Sequence, residues 1–120
     1  MSYMPPSVLI VDDHAGFRLS ARRILEADGY EIVGEAANGR SAIAAARRLR
    51  PDIVLLDVNL PDLDGFEVAR ELTAEPGAPA IVLTSSHDRE DFGDSLPSSR
   101  AAGFVPKDEL CGAALAALVA

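Results

Sequence analysis

With 120 residues, 48% of them apolar and 25% charged, the chain fits one globular domain with a real core. Its formal net charge of −8 repels phosphate backbones, so direct nucleic-acid binding by this chain is not expected. One cysteine, Cys111, excludes an internal disulfide, and no apolar run approaches the roughly 20 residues that cross a bilayer, so no membrane association is expected either.

Met1 to Ser7 carries two prolines and no basic residue, unlike a signal peptide. A cytoplasmic location is expected, with residues 1–6 disordered and a single domain over 1–120. The run Val8-Leu9-Ile10-Val11 then ends in Asp12 and Asp13. Runs this short and rich in Val and Ile read as strands buried on both faces. Phe17, Ala21, Ile24 and Leu25 follow a helical period, with Arg18, Arg22 and Glu26 opposite and Gly29 placed to end the helix. Glu31 to Ala36 is a weaker strand candidate. Asn38-Gly39 marks a turn, and the helix after it, with Ile43, Ala46 and Leu49 inward, should stop before Pro51.

Ile53-Val54-Leu55-Leu56 is a second strong strand, ending in Asp57. Phe66, Ala69 and Leu72 mark a third helix, closed by Pro76-Gly77. Ala80-Ile81-Val82-Leu83 is a third strong strand, ending in Thr84. From His87 to Ala102 a helix is due by alternation, but Gly93, Pro97 and several serines interrupt it, so a short or irregular helix is expected. Gly103 to Pro106 is a weak strand. The last helix carries Cys111, Ala114, Leu115 and Leu118 inward, with Asp108 as its N-cap. Cys111 is expected to be a small buried apolar residue. Five βα units in series predict an α/β fold, a parallel sheet with helices on both faces.

A parallel sheet brings Asp12-Asp13, Asp57 and Thr84 to one edge, where such folds bind ligands. Each has a plain explanation on its own: a helix cap for the aspartate pair, a turn before Leu60-Pro61 for Asp57, β-propensity for Thr84. At three strand ends on one edge those explanations become improbable together. Crowded carboxylates repel and favour protonation. A hard cation relieves this, and an all-oxygen set with few protein ligands suits Mg²⁺. Lys107 follows the last strand and should reach the same edge. A solvated surface residue is the common fate of a lysine; a point charge on a phosphoryl oxygen is the functional one.

With these residues the chain resembles the receiver domain of bacterial two-component response regulators. The matches are Val11-Asp12-Asp13-His14, Gly34-Glu35-Ala36-Ala37-Asn38-Gly39, Pro51 to Asp57, Leu60-Pro61-Asp62-Leu63-Asp64-Gly65, Thr84 and Lys107, in the family's order and spacing. They span Ser7 to Val119. The stretch Gly34 to Gly39 is most similar to the subfamily that usually carries a helix-turn-helix output domain.

The resemblance implies a flavodoxin-like doubly wound (βα)5 fold with strand order 2-1-3-4-5. It implies Asp57 as phosphoacceptor in a phosphorelay, with Asp13, Asp57 and the backbone carbonyl of Asn59 binding Mg²⁺ directly and Asp12 through a water. Lys107 would pair with the phosphoryl group, Thr84 would be the switch hydroxyl and Phe104 the switch aromatic. The implied donor is a histidine kinase or phosphotransfer protein, and the implied readers are an output domain or a partner protein, with a homodimer left open. Such a chain is a self-phosphorylating switch rather than a turnover enzyme. Two departures stand out. The family usually has proline after the lysine, often in a cis peptide, whereas here Pro106 precedes Lys107; and residues 86–102 break the helix that normally follows the fourth strand.

Other readings are weaker. A non-phosphorylated interaction module of the same fold has no physical need for three crowded carboxylates. A flavin-binding domain would need a hydroxyl- and glycine-rich loop where Asp12 and Asp13 stand. A metal-dependent phosphatase or nuclease would need a separate general base, and none is evident.

Overall fold

The computed structural model describes residues 5–86 and 100–119. The expectations for residues 1–4 and for the interrupted helix over 87–99 lie outside the described residues. Five strands form one parallel sheet in the order β2-β1-β3-β4-β5: β1 (Ser7–Val11), β2 (Glu31–Ala36), β3 (Ile53–Asp57), β4 (Ala80–Ser85) and β5 (Gly103–Pro106). All five expected strands are present. The described helices are α1 (Ala15–Ala27), α2 (Gly39–Leu49), α3 (Gly65–Thr73) and α4 (Gly112–Val119), with a 3-10 turn over Lys107–Glu109.

Side chains on a strand alternate between faces, and the alternation splits the core in two. Leu9, Val11, Val54, Leu56, Ile81 and Leu83 face α2 and α3. Val8, Ile10, Ile53, Leu55, Val82 and Val105 face α1 and α4. This is why β1 and β3 read as unbroken apolar runs: both faces are covered. Leu9, Ile10, Leu55, Leu56 and Leu83 are essentially sealed from solvent, and each such side chain contributes about 1.5–3 kcal/mol.

Local signals set the helix ends. Gly29, at φ 93°, turns the chain out of α1. Asn38 caps α2, its side chain accepting from the Ser41 amide at 2.8 Å, and Asp64 caps α3 through the Phe66 amide at 2.7 Å.

Three sequence expectations need correction. Ile24 is 37% exposed rather than inward, because Ala21 and Leu25 alone fill the buried stripe of α1. Asp108 does not cap the last helix, since it lies in the 3-10 turn and α4 starts only at Gly112. Cys111 is exposed and takes the cap place instead, with the Ala114 amide 3.4 Å from its sulfur. Leu110 drops into the core just before it, which displaces the helix start. The peptide bonds around Pro106 and Lys107 are trans.

Candidate functional site

Strand order reverses between β1 and β3, so a crevice opens beyond their carboxyl ends. Asp12 follows β1, Asp57 ends β3, and in the next strand Thr84 is the register partner of Asp57. Lys107 follows β5 directly. Topology alone therefore carries these four side chains to one edge.

Asp12 is fully buried and Asp57 is 3% exposed. Burying a carboxylate is costly unless it is paired. Lys107 supplies the pairing: its Nζ lies 2.6 Å from Asp12 Oδ2 and 3.4 Å from Asp57 Oδ2. Burial pushes the Asp57 carboxyl above its ordinary range and the Asp12 charge adds to this, while the Asn59 amide and Lys107 pull it back down. For Lys107, burial alone would lower the ammonium, but Asp12 and Asp57 outweigh it and hold its pKa above the ordinary value.

The other oxygens of the pair are also held. Asp12 Oδ1 accepts from the His14 amide at 2.8 Å, and Asp57 Oδ1 from the Asn59 amide at 3.2 Å. Helix capping does not account for the aspartate pair, since the cap residue of α1 is His14. Asp13 is exposed at the rim. Asp12, Asp13, His14 and Asp57 each offer one ligand atom within 4.8 Å of the others. A depression of about 410 Å³ adjoins them, lined by Asp13, Asn59, Pro61, Asp62 and Asp64 among others. This oxygen-rich set, open on one side, fits a hard divalent cation that keeps some of its waters.

Thr84 is wholly buried, and its Oγ1 has no hydrogen-bond partner among the described residues. A buried hydroxyl left so is uncommon and points to a ligand or a second conformation. Phe104 is half-buried against the α2/α3 core.

Four residues at this edge were not assigned roles from sequence. Phe17 sits beneath Lys107, with Nζ 4.7 Å from the ring centroid, a cation–π contact. Arg18 donates to the Asp12 backbone carbonyl and pairs with Glu35 at 3.1 Å. His14 Nδ1 lies 3.0 Å from Asp13 Oδ1 and 3.1 Å from Asp12 Oδ1. Asp62 spans to α2, accepting from the Gly39 and Arg40 amides at 2.7 and 3.0 Å. Adjacency to Asp12-Asp13 could have flagged His14; the others depend on contacts that local spacing does not reveal.

Comparison with known proteins agrees with this geometry. Residues 8–118 match the family model described as "Response regulator receiver domain". Transcriptional regulatory protein PdtaR of Mycobacterium tuberculosis is 40% identical over 87 residues, covering 72% of this chain and 42% of that protein. The chain spans less than half the length of the curated relatives it matches. A LuxR-family two-component response regulator from Aurantimonas sp. SI85-9A1 superposes with a TM-score of 0.85 at 32% identity, over 96% of this chain and 86% of that one. A chain of the CheX–CheY–BeF3–Mg²⁺ complex from Borrelia burgdorferi gives a TM-score of 0.83 at 25% identity, over 97% and 87%. With five parallel strands in the order 2-1-3-4-5 and a family match over nearly its whole length, the chain belongs to the response regulator receiver domains.

Proposed function

We propose that this domain accepts a phosphoryl group on Asp57 in a Mg²⁺-dependent reaction and relays that event through Thr84 and Phe104. The observation that carries this reading is the sharing of one ammonium, Lys107, by two water-excluded carboxylates, Asp12 and Asp57. An arrangement this costly to bury is explained by chemistry at the edge rather than by stability.

Asp12, Asp13 and Asp57, with the Asn59 backbone carbonyl, would hold the ion. When bound, it offsets carboxylate repulsion and the negative charge of the phosphoryl oxygens. Asp57 is the nucleophile. Its carboxylate oxygen bonds to phosphorus while the bond to the donor breaks, and the donor leaves with the electron pair. The donor is the phosphohistidine of a kinase or phosphotransfer protein, or a small acyl phosphate. Phosphoryl transfer needs mainly positioning and charge stabilisation. Lys107, already at Asp57, moves its charge to a phosphoryl oxygen.

The acyl phosphate carries about −1.5 to −2 charges in place of the single charge of the carboxylate, beside a buried hydroxyl with no partner among the described residues. Thr84 then donates to it, and Phe104, one strand over, repacks. This is a shift between two populated states of one fold. The single domain serves as the switch of a cytoplasmic regulator. Relatives bearing transcriptional-regulator names make a transcriptional output the reading of choice. The BeF3 and Mg²⁺ in the CheY complex lend support, because BeF3 has the shape and charge of a phosphoryl group.

The test is intact-protein mass after incubation with acetyl phosphate, with and without Mg²⁺, beside Asp57→Asn. One phosphoryl group is expected on the wild type with Mg²⁺ and none on the variant. Equal uptake by Asp57→Asn would refute the acceptor. No uptake from acetyl phosphate or from a phosphorylated histidine kinase would favour the interaction-module reading.

A further inference from the structure

The sequence singled out Asn38-Gly39 and Leu60 to Gly65, and the proposed chemistry uses neither, although Asn59 adjoins the second. In the structure the two stretches meet. Asp62 Oδ1 accepts from the Gly39 amide at 2.7 Å and Oδ2 from the Arg40 amide at 3.0 Å. These are amides of the first turn of α2, which have no partner inside the helix. A carboxylate there also meets the positive end of the helix dipole.

The approach is close. A Cβ on Gly39 would stand 2.8 Å from Leu63 Cβ and 3.0 Å from Val68 Cγ2. The loop can lie on α2 because residue 39 has no side chain. At its far end the loop is pinned again: Gly65 donates to Val58 O at 2.9 Å, and a Cβ there would meet the Asp57 carbonyl at 2.4 Å. Asn59, which bridges to Asp64, lies between the two pins.

We propose that Asp62 is a positioning residue for the metal: by clamping residues 58–64 to the N-terminus of α2, it fixes the Asn59 backbone, whose carbonyl the proposed function gives to the ion. The inference rests on the Mg²⁺ reading above. Groups that orient metal ligands commonly change affinity by about 10–100-fold when removed. Asn38 supplies a control, because its side chain caps the same helix through the Ser41 amide, whereas Asp62 reaches it from the loop.

The experiment measures the Mg²⁺ dissociation constant from the dependence of Tm on Mg²⁺ concentration, for wild type, Asp62→Ala, Asp62→Asn and Asn38→Ala. Asp62→Ala is expected to weaken Mg²⁺ on the order of tenfold. Asp62→Asn, which keeps an acceptor, should recover part of this. Asn38→Ala should lower Tm without changing the constant. If Asp62→Ala does not fold, Asp62→Asn against Asn38→Ala makes the same comparison. Unchanged affinity in both Asp62 variants, or an equal loss in Asn38→Ala, overturns the inference and leaves the metal reading standing. A wild-type Tm that ignores Mg²⁺ overturns the metal reading itself, and the inference with it.

Discussion

The two halves of the sheet edge are built differently. On the β1/β3 side the polar groups are held by hydrogen bonds or by charge, Asp12 Oδ2 through its ion pair with Lys107 rather than a hydrogen bond. Asp12 and Asp57 each hold an amide and share Lys107, Asp64 caps α3, and Asp62 reaches across to α2. On the β4 side Thr84 is buried just as deeply, yet its hydroxyl meets no partner among the described residues. The first half has the build of a fixed socket. The second has a polar group held back from water with nothing to bond, which a small rearrangement or a new acceptor could relieve.

Removing Lys107 strikes the contrast hardest. Lys107→Ala leaves two buried carboxylates without their counter-charge, so it should cost about 2–4 kcal/mol by chemical denaturation without divalent ions. Mg²⁺ should restore much of that stability. A loss below ~0.5 kcal/mol would mean that the pair is not held as described.

Next comes Thr84→Val, which replaces an unpartnered hydroxyl by a methyl of similar shape. Its stability should stay within ~1 kcal/mol of the wild type. Phosphorylation of Asp57 should persist while the spectral or partner-binding response to it is lost. A large destabilisation would show that the hydroxyl is already bonded, and the contrast between the halves would fail.

The smallest effect lies in acid. The Gly39 amide holds the Asp62 carboxyl below its usual range, opposed by desolvation and helped to a lesser degree by the Arg40 amide. A depressed carboxylate contributes stability above its unfolded pKa, and that contribution is lost as pH falls through the folded value. The Tm gap between wild type and Asp62→Ala should therefore be widest near neutral pH and close well below the ordinary carboxylate range. A gap that widens in acid would reverse the sign and remove the clamp.

How much of this was legible in the sequence follows from what is local. β1, β3 and β4 could be read because strands covered on both faces become unbroken Val/Ile/Leu runs, and Asp12, Asp57 and Thr84 because each stands where such a run stops. The end of α1 was legible from Gly29. The Asp62 clamp was not, because it joins a side chain to amides far away in sequence. Phe17 was legible as inward-facing but not as the ring beneath Lys107, since helical period gives a face and not a neighbour. The start of α4 was misread because aspartate is the commoner cap and cysteine a rare one. There the burial of Leu110 overrode local preference.

Lys107 is a cation on a leash. Attached to β5 and steadied over Phe17, its charge stays beside Asp12 and Asp57 at a local concentration that no change of medium can dilute. A free divalent ion entering the same cluster competes with that tethered charge for Asp12 and Asp57 oxygens. If the proposed chemistry holds, a phosphoryl donor that occupies the ammonium frees those oxygens for the ion, so ion and donor should favour each other's binding.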